Sequence, residues 1–85
     1  MSGEKRNLCG ANIKAYRKQR KLKQLDVVTA LEEDFGIKLD STSFGRIERF
    51  ERGVWDYELV AIAHILNVSV QELIKSEEEN FRPVG

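Results

Sequence analysis

Eighty-five residues, 41% apolar and 33% charged, with fourteen basic and fourteen acidic side chains, describe one small soluble domain. A chain this short buries only ~60–65% of its unfolded surface, so a large catalytic cleft is not expected. Overall neutrality excludes a plain polycation that coats nucleic acid.

The single proline is Pro83, so nothing breaks the middle of the chain, and apolar residues do not alternate as in strands. The first helix is predicted from Leu8 to Lys21, with Asn7 as its N-cap. Cys9, Ile13 and Tyr16 share its apolar face, and Lys14, Lys18 and Lys21 share another, with Asn12 on the edge between them. The second helix runs from Gln24 to Phe35 on Val27, Val28, Leu31 and Phe35, and Gly36 ends it. Glu32, Glu33 and Asp34 in its last turn oppose the helix dipole. Ile37 and Leu39 anchor an extended connector. Asp40 or Ser41 then caps a third helix, to about Arg49, with Phe44 and Ile47 inward. A loop at Arg52–Trp55 precedes a fourth helix capped by Asp56. Its stripe is Leu59, Ile62, Ala63 and Leu66, and Asn67 stops it. Ser69 and Glu72 form a capping box for a short fifth helix carrying Leu73 and Ile74. The expected organisation is a basic tail at 1–7, an all-α five-helix domain at 8–75, and an acidic, partly disordered tail at 76–85.

Charge is unevenly spread. Residues 1–23 hold eight Lys/Arg against Glu4 alone, a net of +7, whereas residues 24–45 hold five acids against Lys38, a net of −4. A basic front end reads either as a solvated face or as a surface that meets phosphate. The third helix decides between them. A helix that only packs surrounds its core residues with long polar side chains. This one offers Ser41, Thr42, Ser43 and Gly45, whose short side chains and bare backbone permit close approach, and Arg46, Arg49 and Arg52 follow. Its length suits a DNA major groove, about 12 Å wide. Gly45 costs roughly 1 kcal/mol against Ala inside a helix, which points to a steric requirement there: a close partner surface or a close helix crossing.

The run Asn12-Ile13-Lys14 through Arg17-Lys18, then Leu22-Lys23-Gln24, resembles the opening of the phage repressor/Cro-type (XRE-like) helix-turn-helix regulators. So do Ser43-Phe44-Gly45-Arg46-Ile47-Glu48-Arg49, Ile62-Ala63, and Leu66 to Leu73. The likeness covers about Gly10 to Ile74. It implies a lambda-repressor-like bundle that binds double-stranded DNA as a cytoplasmic transcriptional regulator, most simply a repressor, and as a homodimer on short palindromic sites. By the same resemblance Gln24 meets the DNA backbone and reaches the first bases. Ser41, Thr42, Ser43 and Gly45 lie nearest the bases, and Arg46, Arg49 and Arg52 are backbone or edge contacts. Arg17 and Glu48 would form an ion pair that ties helix one to helix three. Three departures stand out. Lys23 replaces the usual Thr or Ser cap of helix two, losing a hydroxyl but adding a positive charge beside the phosphate. Glu32 to Leu39 lengthens the connection between helices two and three. Phe50 replaces the glycine that usually follows helix three.

Other chemistry finds little support. His64 has no cysteine or acid at metal spacing and reads as a surface histidine. Cys9 reads as a buried structural thiol, and a single cysteine forms no internal disulfide. The apolar run from Leu59 to Leu66, broken by His64, is far short of the ~20 residues of a membrane span, and Met1 to Asn7 lacks a secretion signal. Trp55 and Tyr57 read first as core or loop anchors and second as a dimer contact. No enzyme activity, cofactor, metal or small-molecule ligand is expected. The competing reading is a protein-interaction module, for instance an antitoxin-like partner with weak DNA binding, which the neutral charge and the acids at 32–34 favour.

Overall fold

A computed structural model describes residues 9–74, and these are helical with no strand. The helices are α1 (Gly10–Gln19), α2 (Gln24–Phe35), α3 (Ser41–Glu48) and α4 (Asp56–Leu66). A fifth, α5, occupies 70–74, where the described residues end. α1 and α2 each pack on both α3 and α4, so α3 is held from two sides. The terminal segments expected at 1–7 and 76–85, and Asn7 as a cap, fall outside the described residues.

One core unites the helices. Ile13 of α1, Val27 and Leu31 of α2, Phe44 and Ile47 of α3, Ile62 and Leu66 of α4 and Leu73 of α5 are all fully buried. Ile37 and Leu39, in the connector between α2 and α3, pack on this core. No helix among the described residues is long and apolar enough to cross a membrane.

Helix ends explain most departures from the sequence reading. α1 is shorter than expected at both ends and starts behind Cys9, which makes no side-chain cap bond. α2 has the expected bounds. Its N-cap Lys23 offers no side-chain acceptor, but the Lys23 N–H donates to Asp26 Oδ2 at 2.7 Å, so a carboxylate three residues on replaces the missing hydroxyl from the other side. α3 ends at Glu48, one residue early, and its cap is Asp40, which accepts from the Ser43 N–H at 2.8 Å. That backbone bond, followed by one from the Ser43 side chain, holds the Asp40 carboxyl below its ordinary range. α4 is capped by Trp55 rather than Asp56. The Trp55 N–H donates to Glu58 Oε1 at 3.0 Å, in the same way as Lys23 to Asp26. Ser69 and Glu72 exchange both bonds of a capping box at 3.0 Å.

Each of the four longer helices is followed by one residue in the left-handed region: Lys21 (φ 60), Gly36 (φ 68), Phe50 (φ 64) and Asn67 (φ 61). Gly36 and Asn67 adopt it readily, whereas Lys21 and Phe50 pay roughly 1 kcal/mol each for a β-carbon there. The bonds gained are visible. Leu22 N–H donates to Arg17 O at 3.0 Å, Glu51 N–H to Arg46 O at 2.8 Å and Val68 N–H to Ala63 O at 3.0 Å. These close the helix ends onto themselves.

Candidate nucleic-acid interface

The position of α3 is set by Glu48. Arg17 Nε donates to Glu48 Oε2 at 2.7 Å and Arg17 Nη2 to Glu48 Oε1 at 3.0 Å. The two side chains are only 9% and 2% exposed. Gln24 Nε2, at the start of α2, donates to the same Oε1 at 3.0 Å. Arg17 Nη1 also donates to Leu22 O at 2.9 Å, in the turn between α1 and α2. One carboxylate thus binds three elements together, and no buried side-chain polar atom among the described residues lacks a partner. A bidentate guanidinium–carboxylate pair fixes orientation as well as distance, so the roll of α3 about its own axis is fixed with it.

With Phe44, Ile47 and Glu48 inward, the outer face of α3 is Thr42, Arg46 and Arg49, at i, i+4 and i+7, all exposed. Arg49 reaches Glu51 at 3.3 Å, but both side chains are more than half exposed, so the pair is worth at most ~1 kcal/mol and yields to a stronger anion. Ser41 and Ser43 are half-buried at the margin of this face, and Lys23 is exposed beside Gln24 at the start of α2.

Two of the sequence assignments change. Gly45 is buried, not presented at the surface. A β-carbon there would lie 3.2 Å from Arg49 Nη1 and 3.4 Å from Gln24 Nε2, so the glycine makes room for the side chains that cross over it. Arg52 is tied down too. Its Nη1 donates to Glu58 Oε1 at 3.0 Å and to Gly53 O at 2.8 Å, and its Nη2 to Glu58 Oε2 at 3.1 Å. Glu58 is 4% exposed, so this pair anchors the start of α4 instead of reaching outward. The Glu58 hydrogen bonds raise the already high pKa of Arg52. The N-terminus of α3 is likewise taken by the Asp40 carboxylate, which accepts from the Ser43 N–H.

Comparison with protein-family models, with curated proteins and with solved structures finds no match.

The remaining sequence assignments sort by burial. Cys9 is buried and His64 is exposed, its ring edge-on to Phe35 at 5.5 Å between centroids. Trp55 and Tyr57 are exposed, not anchored in the core. Sequence reasoning missed Glu58. Its only signal was a carboxylate at the third position of α4, which suits the N-cap N–H, six residues after an arginine.

Gly45→Ala follows as a stability test of the crossing. The tightest approach of the new methyl is to Arg49 Nη1 at 3.2 Å, the end of an exposed side chain that can swing outward, whereas Gln24 Nε2, held by Glu48, stays at about ordinary contact distance, 3.4 Å. The gain in helix propensity then prevails, and urea denaturation should show a stability increase of about 0.5–1 kcal/mol. A loss of more than about 1 kcal/mol would mean that Gln24 and Arg49 are held rigidly over the glycine.

Proposed function

We propose that this chain is a sequence-specific double-stranded DNA-binding protein of the phage repressor/Cro type. It acts in the cytoplasm as a transcriptional regulator, and as a two-fold dimer on DNA. The supporting observation is the outer face of α3. Thr42, Arg46 and Arg49 stand exposed on a helix that a buried carboxylate holds at a fixed roll, with Lys23 and Gln24 alongside. Thr42 and the neighbouring serines supply short hydroxyls to base edges. Lys23, Arg46 and Arg49 supply the charges that meet phosphate on either side. The buried pair keeps the reading face in register and touches no base.

Titration of a fluorescent random duplex with salt tests this reading. The logarithm of affinity should fall against the logarithm of salt with a slope of about −3 to −6, from several phosphate contacts. Arg46→Ala should weaken every duplex alike and make the slope shallower by about one. Absence of binding at ~50 mM salt across the pool would favour an antitoxin-like interaction module, for which the exposed Glu32, Glu33 and Asp34 at the end of α2 already offer a surface.

A further inference from the structure

Among the described Phe, Trp and Tyr residues only Phe44 is fully buried, and Tyr16 is half-buried. Trp55 at 63%, Tyr57 at 58% and Phe35 at 40% exposure face outward, together with Val60 at 58%. This is a poor use of aromatic residues in a domain with so small a core, because each removes ~150–250 Å² from water when covered. Leu25 at 62% and Phe50 at 41% are exposed on other elements, but those of α4 are grouped. Tyr57, Val60 and His64 repeat at i, i+3 and i+7 along α4 and form one stripe on its outer side, opposite Glu58, Ile62 and Leu66. Phe35 adjoins the stripe through its edge contact with His64. Trp55 stands at the N-terminal end of the same helix, beside an open hollow lined by Arg52, Gly53, Val54 and Trp55 itself. Val60 gains nothing as an exposed mid-helix residue, since β-branched side chains are poor helix formers.

We infer that the outer face of α4, centred on Val60, is a self-association surface whose occupant is a second copy of this chain. The stripe holds no Lys, Arg, Asp or Glu, so it is suited neither to phosphate nor to a charged peptide. An antiparallel two-fold whose axis passes between Val60 and Ala61 sets Tyr57 of one copy opposite His64 of the other, the isologous arrangement a two-fold requires. The neutral chain imposes no net repulsion between copies. The exposed parts of Phe35, Trp55, Tyr57 and Val60 amount to roughly 400 Å² per copy, or roughly 800 Å² for the pair before a polar rim is added. That size matches a weak, reversible dimer and falls short of an obligate one. Aromatic side chains at its centre are the kind that carry interface energy. The surface names the dimer contact for the proposed function but is independent of α3, and its test uses no nucleic acid, so either can fail alone.

Sedimentation equilibrium of the full chain from about 5 to about 500 μM gives the readout, a range that brackets a micromolar dissociation constant. The weight-average mass should rise from the 9.8 kDa monomer towards twice that value. Trp55 is the only tryptophan, so its emission should shift to shorter wavelength in parallel. Val60→Asp, with Tyr57→Lys as a second variant, should leave helicity and the urea midpoint unchanged and weaken self-association at least about ten-fold. Any of three results would overturn the inference. One is a monomer throughout with unshifted emission. Another is a monomer whose emission is already shifted, which places another part of the chain on the face. The third is a dimer that both variants leave intact.

Discussion

Glu48→Ala should cost about 3–5 kcal/mol of unfolding free energy, as expected when one member of a buried ion pair is removed. Arg17 would keep its charge at 9% side-chain exposure with the Leu22 carbonyl as its remaining acceptor. Gln24 would lose its acceptor in the same step. A domain of this size is stable by only ~5–10 kcal/mol, so the loss is a large share of the total and the urea midpoint should fall steeply. Urea denaturation followed by circular dichroism measures this. The double replacement Arg17→Met with Glu48→Leu provides the contrast. It removes both charges together, and it should retain most of the stability while losing the fixed roll of α3. A loss below about 1 kcal/mol for Glu48→Ala would mean that the carboxylate does not hold the three elements together.

Arg52→Ala carries the second large effect. It leaves Glu58, 4% exposed, with the Trp55 N–H as its surviving partner, and unfastens the loop from the start of α4. Arg52 is itself 28% exposed, so the expected loss is less than for a fully buried pair, about 2–3 kcal/mol. The same variant separates two roles. A phosphate-contacting arginine makes the salt slope of DNA binding shallower by about one when it is removed. An anchoring arginine leaves the slope unchanged and lowers the urea midpoint. The Glu58 bonds predict the second result, and a shallower slope at unchanged stability would return Arg52 to the DNA-facing group.

The helices were legible because their apolar stripes are regular and no proline interrupts them. α2 has its expected bounds, and the stops at Gly36 and Asn67 follow from residue types that tolerate positive φ. The stops at Lys21 and Phe50 were not legible, since neither residue favours that backbone region and only the bonds closed around them make it worthwhile. The two side-chain-deficient caps were hidden for a related reason. Lys23 and Trp55 cannot accept from the helix, and the compensating carboxylates, Asp26 and Glu58, lie three residues downstream. At the interface, periodicity pointed to the outer position of Thr42 and Arg46 but not to the fate of the longer side chains. An arginine reaches ~6–7 Å from its backbone, and whether it turns to solvent or to a buried carboxylate depends on contacts that only the packed structure supplies. Arg46 and Arg52 look alike in sequence and lie in opposite environments.

The central claim is that the outer face of α3 reads base sequence. Selection of bound duplexes from a random library, run in parallel with the wild-type chain and with Thr42→Arg, tests it most directly. Thr42 is exposed, so its replacement should change stability by no more than about 0.5 kcal/mol. The wild type should enrich a site with two-fold symmetry. Thr42→Arg should enrich a different base at one position in each half, with guanine the expected gain because arginine pairs with its O6 and N7. Identical enriched sites for the two proteins, or no enrichment for either, would contradict the account.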